Sequence, residues 1–87
     1  MDAVGAWSRT EGLEYGDLIV NQQPPDLGRV TMGEIPVHVR SETYSGEPFE
    51  GQLVARAWWK NWVAVAQPWP GHEDWIAWLP RTCVRRI

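Results

Sequence analysis

One cysteine, one phenylalanine and one lysine stand in a chain of 87 residues, and the first of these scarcities excludes the most. A lone Cys83 rules out an internal disulfide framework and a Cys-rich zinc site. No apolar run approaches the ~20 residues of a membrane-spanning helix. The opening Met1-Asp2-Ala3-Val4-Gly5 has neither the basic nor the apolar stretch of a secretory signal, so the expected localisation is cytoplasmic. No Gly-rich phosphate loop is present. His72-Glu73-Asp74 lacks the second histidine of an H-E-x-x-H helix. The lone thiol would need a neighbouring base and a depressed pKa to act as a nucleophile, and a buried apolar role suits it better. The expectation is a protein that is not an enzyme, with no metal site, no cofactor and no catalytic residue.

What is abundant is tryptophan: 7 Trp against 2 Tyr and 1 Phe. Trp58, Trp59, Trp62, Trp69, Trp75 and Trp78 fall within 21 positions. Each indole buries on the order of 200 Å², so two or three would fill most of a small core. Alternation along a strand also sends Trp58 and Trp59 to opposite faces. At least two of the six are therefore expected to be partly exposed. The competing reading is that the rings merely cover a thin sheet and bind nothing.

Charge is divided as sharply. Residues 1–50 carry nine acids against three bases, and residues 51–87 carry two acids against five bases, giving −6 and +3 within a net charge of −3. Such asymmetry can mark a binding surface. It can equally arise from basic strands pairing with acidic ones inside one sheet. Arg outnumbers Lys seven to one, the bias of a GC-rich coding sequence.

At this length there is one domain with one core, burying about 60–65% of the surface its unfolded chain exposes. Residues 1–12 read as an irregular arm and 13–87 as the folded unit. Strand-like runs occur at 13–20, at 29–32, at 35–40 with a phase change at Gly33-Glu34 marking a bulge or tight turn, at 51–59, at 62–66 and at 75–79. Pro36 fits only an edge or a strand end. Within 51–59, Leu53, Ala55, Ala57 and Trp59 share one face, with Val54, Arg56 and Trp58 on the other. Turn chemistry separates the runs at 22–28, 41–48 and 68–74, and Lys60-Asn61 is a two-residue connection. No window sustains helical apolar spacing. The expected fold is all-β: a small barrel of five to six short antiparallel strands, with no helix longer than a single turn.

The closing Ala77-Trp78-Leu79-Pro80-Arg81-Thr82-Cys83-Val84-Arg85-Arg86-Ile87 resembles the end of a Src-homology-3 domain, and Asn61-Trp62-Val63-Ala64-Val65 resembles that family's Trp-containing strand. The resemblance covers 61–87. It implies an SH3-like barrel in which a strand ends at Pro80, one 3₁₀ turn reverses the chain and a short last strand returns. The chain departs from the family where Cys83 stands in place of the groove tyrosine and where the Ala-Leu-Tyr-Asp-Tyr opening is missing. The resemblance therefore implies the fold more than proline-rich peptide binding.

The resulting expectation is a binding module for a protein or peptide, with a homo-oligomer as a further possibility and no membrane partner. Trp59, Trp62, Trp69 and Pro80 would be apolar anchors, with Arg81 and Arg85 at the rim. Trp69, set between two prolines in a loop, is the first candidate for a contact. The alternative is single-stranded nucleic acid, stacked on indoles and held by the C-terminal arginines.

Overall fold

The computed structural model describes residues 13–22, 24 and 28–87. The expected arm, Trp7 and most of the turn at 22–28 lie outside these. Five antiparallel strands form one sheet in the order β4-β3-β2-β1-β5. They are β1 (Thr31–Glu42), β2 (Pro48–Trp59), β3 (Trp62–Gln67), β4 (Trp75–Pro80) and β5 (Val84–Arg86). Among the described residues the only helical turns are 3₁₀, at Tyr15–Asp17 and Arg81–Cys83, and no helix is long and apolar enough to cross a membrane.

β1 to β4 each bury one face, although among the described residues no helical layer covers the sheet. Val37 and Val39 of β1, Leu53 and Ala55 of β2, Val65 of β3, and Ala77 and Leu79 of β4 form one core cluster. A single sheet shelters one face this completely only by curling on itself, as in a barrel. β4 and β5 do not pair. The 3₁₀ turn after Pro80 spans that seam and delivers β5 to β1, where Val84 pairs with Val39 and Arg86 with Val37.

The two apolar runs at 29–32 and 35–40 are one continuous strand rather than two. The pairing of β1 with β2 jumps between Met32 and Ile35, so the phase change at Gly33-Glu34 is a bulge inside the strand, not a break. Pro36 lies just past Val37, where β5 stops pairing with β1; β1 has one neighbour there, which a residue lacking N–H tolerates. β1 and β2, at 12 residues each, are longer than expected.

The run at 13–20 is not a strand. Asp17 N–H donates to the Glu14 carbonyl (2.8 Å) and Leu18 N–H to the Tyr15 carbonyl (3.1 Å), closing the 3₁₀ turn, and the Asp17 carboxylate accepts from Glu14 N–H at 3.0 Å. Only Ile19 bridges to Thr43. Leu18 and Ile19 are both fully buried, a pattern no half-buried strand gives, because this segment crosses the barrel end and is covered on both sides.

Two side chains, one on β3 and one on β4, fasten that plug. Gln67 Oε1 accepts from Ile19 N–H (2.8 Å) and Gln67 Nε2 donates to the Asp17 carbonyl (3.2 Å). Trp75 Nε1 donates to the Ile19 carbonyl at 2.8 Å. Beyond it, Trp78 N–H donates to Asn21 Oδ1 and Gln22 N–H to the Trp78 carbonyl, each at 2.8 Å. The lead-in thus closes one end of the barrel and covers part of the outer edge of β4.

Candidate functional site

Among the described residues no segment crosses the opposite end. It is built where β2 turns into β3, and a local irregularity decides which indole it receives. Ala55 pairs with Val65 and Ala57 with Ala64, so Arg56 has no partner on β3. This extra residue reverses the alternation of β2 beyond it. Trp58 then pairs with Val63 and joins the inward face, while Trp59 pairs with Trp62 on the outward one. The expected grouping of Trp59 with Leu53 and Ala55 is corrected by this bulge. Gly33, in the β1 bulge, lies beneath the Trp58 ring: a Cβ there would sit 2.8 Å from Cη2.

The result is a cleft of about 700 Å³ at the barrel mouth, within the ~300–1,000 Å³ typical of ligand sites. Its apolar lining is Ile35, Val37, Ala55, Trp58, Val63 and Val84; its polar lining is Lys60, Arg81, Arg85 and Arg86. No carboxylate lines it among the described residues. Arg86 pairs with Val37 and so occupies an inward position where alternation calls for an apolar side chain. Arg81 is seated by its own N–H, which donates to the Asn61 carbonyl at 2.7 Å. Lys60 holds the turn with a left-handed φ of 53°, and its Nζ lies 5.0 Å from the Trp59 ring centre.

The six residues expected at the binding surface fall in three places. Arg81 and Arg85 line the mouth. Trp59, Trp62 and Pro80 form one cross-strand row beside it on the outer face, and a Cβ on Gly28 would meet the Trp59 indole nitrogen at 2.5 Å. Trp69 is at the closed end, where its Nε1 donates to the Leu13 carbonyl (2.9 Å). Its ring stacks on His72 at 3.9 Å and meets Trp75 edge-on at 6.1 Å. All six described tryptophans are half-buried, so none stands free. The sequence reading passed over Trp58 and Lys60. The Trp58 position depends on the bulge at Arg56, which one strand's pattern does not reveal.

Beside the mouth lies a smaller hollow of about 200 Å³ lined by His38, Arg40, Thr82, Cys83, Val84 and Arg85. His38 Nε2 lies 2.8 Å from Glu50 Oε2 and Arg40 Nε 3.7 Å from Glu50 Oε1. The His38 hydrogen bond, helped by Arg40 and Arg85, holds the Glu50 carboxyl below its usual range. Cys83 packs against the core. Among the described residues no group of three or more His, Cys, Asp or Glu could hold a metal ion. Asp74 is instead bonded to Arg56 Nη2 at 2.9 Å.

Comparison of the chain with family models, with curated proteins and with solved structures finds no match.

Proposed function

We propose that the protein is a binding module whose open barrel mouth takes an apolar, acidic segment of a protein partner. The observation that carries this is the lining itself: six apolar inward residues and four cations, with no carboxylate among them. Apolar side chains of the partner would displace water from Ile35, Val63 and Trp58, and its carboxylates would meet Lys60, Arg81, Arg85 and Arg86. The cations raise the encounter rate and set the register; the apolar floor supplies most of the affinity. Because Arg81 and Arg85 belong to the mouth, this reading keeps them as contacts and moves the indole contact from Trp69 to Trp58. The strand, Pro80, 3₁₀ turn and returning strand support the SH3-like reading of the fold.

The same four cations favour single-stranded nucleic acid as a second reading. Stacking platforms for successive bases need a row of exposed rings, and this cleft offers one indole among aliphatic side chains.

A short peptide of Tyr, Leu and Glu residues, titrated against tryptophan fluorescence, tests the first reading. Trp58→Ala is expected to weaken binding by about 2 kcal/mol, roughly thirtyfold, the cost of a central aromatic contact. A variant that binds as the parent does overturns the assignment. An oligothymidylate that binds where the peptide does not selects the second reading.

A further inference from the structure

We propose that the partner is a second copy of this chain, joined head to tail, with the closed end of one molecule seated in the open mouth of the next. The inference rests on the mouth being a binding surface and names its occupant.

The fold sorts charge and aromatic surface to opposite ends. β2 runs its 12 residues from the turn at Thr43–Glu47 to the turn at Lys60-Asn61, so these two turns are as far apart as the sheet allows. At the closed end Glu14, Asp17, Glu42 and Glu47 are exposed, and segments 13–19 and 42–47 contain no Lys or Arg. Between them project Tyr15 and Tyr44, 53% and 37% exposed, stacked with ring centres 4.6 Å apart. Trp75 supports the pair edge-on, 5.7 Å from Tyr15 and 6.0 Å from Tyr44. The Tyr44 hydroxyl accepts from Asn21 N–H at 3.0 Å. This is a pre-ordered apolar knob ringed by carboxylates, and Tyr is a favoured interface anchor whose rings lose little entropy when fixed in advance.

At the other end is its complement, an apolar cleft ringed by four cations. Knob and cleft match in polarity and in sign. Like ends repel: mouth-to-mouth contact would set cations against cations, and tip-to-tip contact acids against acids, so a two-fold dimer through either end is disfavoured. A contact between different patches is heterologous and propagates into a ring or a filament.

Sedimentation of the full chain over a wide concentration range tests this. Wild type is expected to grow in mass with concentration and to dissociate as salt rises. The mouth variant Arg81→Glu/Arg86→Glu and the tip variant Glu42→Gln/Glu47→Gln, both at exposed positions, are expected to sediment as monomers and to be folded by near-ultraviolet circular dichroism. Mixed one to one, they are expected to stop at a dimer, since each supplies one intact face in register with the other. A variant that assembles as wild type does, or a mixture that stays monomeric, overturns the proposal. A wild type that stays monomeric but binds the Tyr-Leu-Glu peptide overturns the second copy as occupant while leaving the mouth as a binding site. A monomer that binds neither overturns both.

Discussion

At the closed end of the barrel the indole nitrogens of Trp69 and Trp75 donate to the carbonyls of Leu13 and Ile19; at the open end Trp58 lines a cleft among four cations. The same residue type thus serves two purposes in one small sheet. Where a lead-in segment crosses the barrel, tryptophan satisfies its backbone and fills the space beneath it. At the other end, where no described residue crosses, an indole lines a cavity with cations around it. The composition alone shows an excess of tryptophan, and the difference between the ends divides that excess into a part bonded to the lead-in and a part that lines or flanks the mouth.

The comparison can be broken most severely at the plug. Leu18 is fully buried there, and Leu18→Ala should lower the free energy of unfolding by ~2–5 kcal/mol, as deletions of this kind do. Urea denaturation reads the loss; a change below ~1 kcal/mol would mean that the closed end is not part of the core. Gln67 sharpens the point, because its amide is buried and bonded to backbone groups of both Asp17 and Ile19. Gln67→Leu keeps the bulk and leaves the Ile19 N–H without its acceptor, which should cost ~1–3 kcal/mol in the same assay. The smallest effect concerns the flank of β1 and β2. Glu50 is held below its ordinary range by His38 and then Arg40, so the stability it contributes is present above the unfolded carboxylate value and lost as pH falls through the folded one. Glu50→Gln should therefore be less stable than wild type at neutral pH, with the two converging in acid. Parallel curves across that range would remove the His38–Glu50 contact from the account.

Much of this architecture was legible in the residues. β2, β3 and β4 follow from strand-like runs set between turn signals, the Lys60-Asn61 connection from its spacing, and the end of β4 from Pro80, because each depends on neighbours close in the chain. The bulge at Gly33-Glu34 was visible as a change of phase, although the strand continues through it. Two features were not legible, for different reasons. The inward turn of Trp58 follows from an extra residue, Arg56, counted against a partner strand whose register no single segment encodes. The plug was misread as a strand because Leu18-Ile19-Val20 has strand composition, while its burial on both sides comes from crossing a barrel end that only the folded chain supplies. Trp69 shows the same limit: between two prolines it reads as a free loop tip, yet Leu13, 56 residues away in sequence, accepts its N–H.

The central claim is that the open mouth binds and the closed-end indole of Trp69 does not. The direct measurement is a paired titration of the Tyr-Leu-Glu peptide against Trp58→Ala and Trp69→Ala, followed by fluorescence of the remaining tryptophans. The account gives a loss of about thirtyfold for Trp58→Ala and an unchanged affinity for folded Trp69→Ala. Equal losses in both variants, or a loss confined to Trp69→Ala, would contradict it.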